Sequence, residues 1–284
     1  MLSSLRIVIR GAGDLATGVA LRLYRSGFTR LAMLERENPV AVRRRASFCE
    51  AVRLREHTVE GVTAQLAEIP ADVEVIQSKG RIPVLVDPQN RALGLLRPDV
   101  LVDAVIAKRN LGTTIHDAPL VIGLGPGFTA GQDVHRVVET HRGMGLGRVI
   151  ASGAAQPNTG VPASVMGYAS ERVLRAPADG IFTTSLDIGH MVSAGQSVGM
   201  VGEDPVISQI SGVLRGLLPH NVKVTKGMKL GDVDPRGHAV DCARVSDKAL
   251  AIGGGVLEAI LERYNTGPGE CGREEGAPWP SATP

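Results

Sequence analysis

The chain has 284 residues, enough at roughly 100–200 residues per domain for one large domain or two smaller ones. It is 43% hydrophobic and 21% charged, which excludes a wholly disordered protein. Its 31 Lys and Arg against 29 Asp and Glu leave a net charge of +2, too little for the basic field of a dedicated nucleic-acid binder.

Three widely spaced cysteines, Cys49, Cys242 and Cys271, form no CxxC pair, so neither a disulfide framework nor a zinc knuckle is expected. The seven histidines are scattered, and no metal site is expected either. MLSSLRIVIRGAGDL runs into an apolar strand without the h-region of a signal peptide, and no window approaches 18 uninterrupted apolar residues. The expectation is a soluble, cytoplasmic protein with no membrane contact.

Leu5–Arg10 reads as a strand, Leu15, Val19, Ala20 and Leu23 follow at helical spacing, and Leu31–Glu35 is apolar again. Further buried-strand candidates are Ile82–Val86, Val100–Ile106, Leu120–Leu124 and Val149–Ala151. Runs that are apolar throughout suit a parallel sheet covered on both faces. Phe48–Leu66 holds either extra strands or a helix. Asp133–Arg142 carries Val134, Val137 and Val138 at helical spacing and is expected to be helical.

The first chemical motif is Gly11-Ala12-Gly13-Asp14-Leu15-Ala16, a G-x-G-x-x-A pattern between strand and helix. Gly11 permits the tight turn, Gly13 lets backbone approach a pyrophosphate, and small Ala16 allows close helix–strand packing. The helix N-terminus then offers free N–H groups to the anion. Glu35, 22 residues after Gly13, stands where an acidic residue accepts from a ribose. Asp14 would repel a phosphate unless a cation or a substrate amine intervened, and Arg36 leaves open a free ribose or a 2′-phosphate. A turn of this type that has lost its ligand is the bland alternative.

Val100–Ile106 leads into Lys108 and Arg109, an ammonium and a guanidinium suited to phosphate or carboxylate, or else solvated surface. Asp103, within that strand, needs a partner if buried, with Lys108 or Arg109 as candidates. A second glycine loop, Gly123-Leu124-Gly125-Pro126-Gly127, follows another apolar strand; it either lines the same crevice through Gly125 and Gly127 or merely shapes a crossover. Arg43-Arg44-Arg45 is nearly balanced by local glutamates and reads as a solvated face, an acidic partner being the alternative. Cys49 reads as buried packing rather than a reactive thiol. His116-Asp117 could orient an imidazole, but no nucleophile elbow or paired-carboxylate motif accompanies it, so no catalytic set can be named.

Gln156–Pro162 marks a boundary between a ligand-binding unit, 1–155, and the rest of the chain. Sliding the chain by 32 residues lays DGIFTTSLDIGHMVSAGQSVGMVG (179–202) over SGVLRGLLPHNVKVTKGMKLGDVD (211–234), with Gly180 on Gly212, Val192 on Val224 and Val201 on Val233. A gapless repeat of this kind implies two β-hairpin units about a pseudo-twofold axis, a module over 173–235. Its pattern resembles biotinyl and lipoyl domains, and so a barrel-sandwich hybrid. Their modified lysine has no counterpart in the connection Glu203–Gln209, so a rigid platform is expected rather than a swinging arm. A C-terminal helix segment, 236–265, should begin or kink at Gly253-Gly254-Gly255, and the Gly-, Pro- and Glu-rich tail 266–284 reads as disordered. The fold class is α/β, a Rossmann-like, mostly parallel sheet with the all-β module appended.

GAGDLATGVALRLYRSGF (11–28), Arg43-Arg44 with EAV (50–52) and VEGV (59–62), VDAVIAKRNLGT (102–113), DAPLVIGLGPGFTAGQDVH (117–135), PNTGVP (157–162) and RAPADGIF (175–182) together carry a resemblance. Across residues 5–264 the chain resembles the YqeB-type accessory proteins of selenium-dependent molybdenum hydroxylase systems. The resemblance implies a role in maturing such an enzyme, with the hydroxylase client and other maturation proteins as partners, and it assigns no catalytic residue. Joined to the glycine turns, it suggests a molybdopterin-type cofactor or its dinucleotide. The rival classes are an NAD(P)-dependent oxidoreductase and a non-catalytic scaffold that docks a client; homo-oligomerisation is left open.

Overall fold

The computed structural model describes residues 2–160 and 162–265. The tail 266–284, with Cys271, lies outside the described residues. Strand β1 (Ile7–Arg10) is buried along its length and feeds helix α1 (Asp14–Arg25), which returns to β2 (Leu31–Glu35). The ambiguous stretch after Phe48 holds both helix and strands, as one-turn α2 (Ala51–Leu54) and the hairpin β3 (Glu56–Val59) and β4 (Val62–Ala67). Then come α3 (Asp72–Ser78), β5 (Ile82–Val86), α4 (Leu93–Leu96), β6 (Val100–Asp103) and β7 (Leu120–Leu124). Short strands β8 (Thr129–Ala130), β9 (Arg136–Val138), β10 (Val149–Ile150) and β11 (Gly153–Ala154) complete this part.

The fold is mixed α/β. Its main sheet has nine strands in the order β10-β9-β7-β6-β1-β2-β5-β4-β3. All neighbours from β9 to β4 are parallel, and only the edge strands β10 and β3 are antiparallel. The chain therefore builds outward from β1 through β2, then crosses back to lay β6 on the other flank of β1. In open α/β sheets such a reversal is where ligands gather, outside the carboxyl ends of the strands that flank it, here β1 and β6.

The helix expected over Asp133–Arg142 is instead strand β9, parallel to β7 with Ile122 opposite Arg136. Val137 and Val138 are fully buried there. β-branched side chains favour a pleated neighbour, and three valines at this spacing satisfy a helical template without requiring it.

Strands β12 (Val173–Arg175), β13 (Gly180–Thr183), β14 (Met191–Val192), β15 (Ser197–Val201), β16 (Asp204–Ile207), β17 (Gly212–Leu217), β18 (Val222–Val224) and β19 (Lys229–Asp234) form two four-stranded antiparallel sheets. Their orders are β12-β19-β17-β14 and β16-β15-β13-β18. Register pairs recur under a 32-residue shift: Gly180 faces Val224 as Gly212 faces Val192, and Phe182 faces Val201 as Leu214 faces Val233. Strands β14 and β18 are exchanged, each sitting in the sheet of the other repeat.

After this unit the chain returns to the first as helix α5 (Asp247–Tyr264), where the Ser246 side chain caps Ala249 N–H at 3.1 Å. Contrary to expectation the helix begins six residues before Gly253 and runs on through the glycine triplet. Two of these glycines are contact points: a side chain at Gly253 would meet Gly18 and Arg22 of α1, and one at Gly255 would meet Gly147. Ala249, Ile252, Val256 and Ile260 share the core of β1, β6 and α1. The two units meet where Leu217 N–H donates to Val42 O at 2.8 Å and Val40 and Val42 pack on the second core. Among the described residues no helix is long and apolar enough to cross a membrane.

Candidate functional site

Gly11 makes the turn out of β1 at φ +96, and its N–H donates to Leu34 O at 2.6 Å. A side chain here would stand 3.1 Å from Ala104 O, so the position is closed to anything larger. Gly13 caps α1 with extended backbone, no side chain caps the first turn, and the nearest group to a Cβ on Gly13 would be Ala41 Cβ at 3.9 Å. Ala16 is fully buried against the sheet. Glu35 reaches back to the turn, accepting Ala12 N–H at 2.9 Å through one oxygen and Arg36 N–H at 2.7 Å through the other.

The turn is buttressed from behind. Ala12 O accepts Cys49 N–H at 2.8 Å, and Thr17 Oγ1 accepts Phe48 N–H at 2.8 Å. Cys49 is buried here, and burial, with the charges of Glu35 and Glu50 behind it, pushes its thiol well above the ordinary range. A thiolate is thus disfavoured, which agrees with a packing role.

Asp103 is buried, and its partners are neither Lys108 nor Arg109. Arg10 Nη1 pairs with it at 3.0 Å, Thr113 Oγ1 donates to it at 2.6 Å, and Arg10 also donates to Thr113 Oγ1 at 2.7 Å. The sequence offered the adjacent cations, but these emerge beyond the strand end, whereas Arg10 lies directly opposite Asp103 in the parallel register. This triad ties Thr113, within the loop after β6, to the ends of β1 and β6. Within the loop Ile106 and Lys108 take left-handed backbone at φ +59 and +62, strained for any side chain and most of all for a β-branched one.

That loop joins the two glycine turns. Its start lies against Gly11, and the Arg109 backbone would stand 2.7 Å from a side chain at Gly127. Gly125, at φ +73, packs on Thr140. Arg109 is exposed and makes no hydrogen bond or ion pair among the described residues, while Lys108 Nζ lies 3.1 Å from the Asn158 amide oxygen when that amide is turned to satisfy its neighbours. Gly11, Gly13, Asp14, Ala16, Glu35, Lys108, Arg109, Gly125 and Gly127 therefore all lie along one edge, at the carboxyl ends of β1, β2, β6 and β7.

The sequence did not reveal the charged surroundings of Asp14. Arg43 is only 7% exposed; it pairs with Asp14 at 3.0 Å and donates to Arg244 O at 2.6 Å. Arg44 and Arg45 both reach Asp187 of the second unit, and Arg44 donates to Leu217 O at 3.0 Å. The arginine triplet is thus a seam between units rather than a solvated face, its acidic partners supplied by the same chain. Arg142 makes a two-pronged pair with Asp247 at 2.8 Å on each branch, and this holds the Asp247 carboxyl well below the carboxylate range. Burial, then the Arg142 charge, pushes the Lys248 ammonium down. Glu139, buried, accepts N–H groups of His141 and Gln156 at 2.7 and 2.8 Å. The only signal for these contacts was charge inside apolar segments, which gives no partner.

A concavity of about 900 Å³ lies at the opposite edge of the sheet, among Arg6, Asn90, Arg97, Asp99, His116 and His135 at the amino ends of β1, β6, β7 and β9. His116 is there, while Asp117 accepts from Thr114 instead of orienting an imidazole. Among the described residues no cluster of three or more His, Cys, Asp or Glu could hold a metal.

Over 261 residues the chain is 51% identical to the uncharacterized protein YqeB of Escherichia coli (strain K12). It is a relative of YqeB. The match covers 92% of this chain and 48% of that protein, so the chain spans about half the length of the curated relative it matches, and the relative's name states no role. No protein-family model matches the chain. Among solved structures it is similar to an aspartoacylase family protein of Mesorhizobium loti (12% identity, 81% of this chain and 84% of that one, TM-score 0.26). A succinylglutamate desuccinylase/aspartoacylase of Rhodobacter sphaeroides gives 16% identity over 81% and 85% of the chains, with TM-score 0.25. Overlaps this loose carry neither fold nor function across to the chain.

Proposed function

We propose that the chain is an accessory protein in the maturation of a selenium-dependent molybdenum hydroxylase, and that it holds a phosphate-bearing cofactor of molybdopterin or dinucleotide type at the glycine-lined edge. With this goes a finer reading of the architecture, a Rossmann-like first unit and a barrel-sandwich-hybrid second unit. The strand-order reversal between β1 and β6 and the exchanged strands β14 and β18 support it.

The observation that carries the ligand reading is the first turn of α1. Its amides have no capping side chain and nothing crowds Gly13, so an anion can approach the positive end of the helix. Arg43 offsets the charge of Asp14 at the same place. The unpaired Arg109 guanidinium, presented by the loop against Gly127, matches a second phosphate oxygen pair. The residues thus fit the phosphate end of such a cofactor; when bound, the cofactor would supply the metal-carrying group that a client receives.

Equilibrium titration of the full chain with purified molybdopterin, pyrophosphate, NADH and NADPH tests this, alongside native mass spectrometry of protein from its own host. Gly13→Val, which fits the extended backbone yet shields the amides, should weaken molybdopterin and pyrophosphate binding by about tenfold or more. Unaltered binding would refute the reading. The second reading, a nicotinamide dinucleotide, is favoured by Glu35 beside the turn, whose oxygens keep acceptor capacity after Ala12 and Arg36. NADH binding with redox turnover would replace the accessory role.

A further inference from the structure

The cavity at the amino ends of β1, β6, β7 and β9 has no part in the function proposed above, and its wall carries hydrogen-bonding groups that nothing in the chain uses. Its volume of about 900 Å³ lies within the range of roughly 300–1,000 Å³ that small-molecule sites occupy. Two connections line it. One runs from β5 to β6, where α4 makes a single turn between Asn90 and Arg97; the other is the end of the loop into β7, with Ile115 and Asp117.

Both acids on this wall are engaged. Asp99 accepts the Arg6 backbone N–H at 2.8 Å and has the Arg6 Nε at 3.5 Å. Asp117 accepts the Thr114 N–H at 3.0 Å and its hydroxyl at 2.8 Å. Arg97 is exposed, and its guanidinium makes no hydrogen bond or ion pair among the described residues. Asn90 is partly buried; its carboxamide makes no hydrogen bond among the described residues, and its Oδ1 is buried without a partner. Each takes left-handed backbone, at φ +57 for Asn90 and φ +43 for Arg97. Asparagine tolerates that region, but at the residue that closes a helix in it glycine is the usual occupant, and an arginine there is strained. Strain held at a charge without a partner points to a ligand site rather than to a structural contact.

An occupant that answers both groups carries an oxyanion and a hydrogen-bond donor. We propose that the cavity binds a small organic anion, whose phosphate or carboxylate group pairs with the fork of Arg97 while a hydroxyl or amino group of the same molecule donates to Asn90. A guanidinium matches two oxygens of either anion. The terminal torsion of a carboxamide is broad, so the Asn90 oxygen can turn out of its buried position to meet a donor in the cavity. Leu93 and Ile115 offer apolar surface to the carbon frame. A bare ion would leave Asn90 unanswered and most of the volume empty. The site lies at the other ends of the strands from the glycine-lined edge and does not depend on the cofactor reading.

The test is titration calorimetry and thermal unfolding of the full chain with ribose 5-phosphate as the phosphate probe, citrate as the carboxylate probe and inorganic phosphate as the bare ion. Ribose 5-phosphate or citrate should bind wild type and G13V alike and more tightly than inorganic phosphate does. Its affinity should fall about tenfold or more in Arg97→Gln and in Asn90→Gly, whose glycine accepts the left-handed backbone. Asn90→Asp, which keeps the shape but adds a negative charge, should weaken the same probe. The ligand-free R97Q protein should melt with wild type, because Arg97 has no partner to lose; a lower melting temperature would make Arg97 structural and end the proposal. No binding of either organic probe at millimolar concentration, equal affinity in wild type, R97Q and N90G, or inorganic phosphate binding as tightly as the organic probes each overturns it. Binding lost in G13V but kept in R97Q and N90G also overturns it, and places the probe at the glycine turn instead.

Discussion

Three successive glycines in α5 sit in three different environments, and replacing each with alanine should move stability in opposite directions. At Gly254 no heavy atom lies within 4 Å of an added Cβ, so G254A gains only the helical preference of alanine, about 1 kcal/mol. At Gly253 the new carbon would lie 2.9 Å from Gly18 O and from Arg22 Cβ of the neighbouring helix. At Gly255 it would strike Gly147 O and stand 2.8 Å from Val138 Cγ1. Overpacking of this kind costs about 1–3 kcal/mol, which outweighs the preference gained. G253A should therefore lose about 1 kcal/mol and G255A about 2, the latter because its new carbon overlaps the Gly147 carbonyl far more deeply than that at Gly253 overlaps the Gly18 carbonyl. In a chain of this size each kcal/mol corresponds to about 2–4 °C in Tm. Urea denaturation with linear extrapolation measures all three variants against wild type. If they shift stability in the same direction, the packing argument for α5 against α1 and the 143–147 loop is wrong.

Truncating Asp103 to alanine leaves Arg10 buried and unanswered and should cost about 3–5 kcal/mol, whereas the pair R10M/D103L should cost less than either single change; a double-mutant cycle with no coupling would show that the triad does not hold the β6 loop. Cys49 should resist iodoacetamide in the native protein at pH 8 and react only after unfolding, as read by peptide mapping. Because its folded pKa is raised, the unfolded thiol ionises first, so Cys49 should erode stability as pH climbs above its ordinary value of 9.0; C49A should flatten that alkaline limb. Asp247 has the opposite sign. Its folded pKa is depressed by Arg142, so its contribution is present above the ordinary carboxylate pKa and fades as pH falls, and the stability difference between wild type and D247N should shrink from pH 7 towards acid.

The strand–turn–helix of residues 7–25 was legible because an apolar run, two glycines and a 3.6-residue period all point to one local structure. The edge on which the site residues gather was legible for a related reason: parallel strands, each ending in a glycine or a charged turn, must present those ends on the same side. Strand β9 was not legible, since Val134, Val137 and Val138 fit either period over so short a stretch. Arg43 was misread because a charged triplet flanked by glutamates looks the same in sequence whether it faces water or a second unit. The buried Nε groups of Arg43 and Arg215, which have no hydrogen-bond partner, could not be seen at all, because a spare hydrogen bond is a statement about every neighbour at once.

Periodicity, turn chemistry and self-similarity are properties of neighbours along the chain, so residue order alone placed strands β1, β2, β5, β6 and β7 and helix α1, the glycine turns, and the echo of residues 179–202 in 211–234. Which strand pairs with which, that Asp103 answers Arg10 rather than Lys108 or Arg109, that β14 and β18 change places, and that Arg43 joins Asp14 to the backbone of Arg244 depend on contacts between residues as much as 201 positions apart. Such contacts are chosen by burial and by the saturation of donors and acceptors in three dimensions, and no local pattern encodes either.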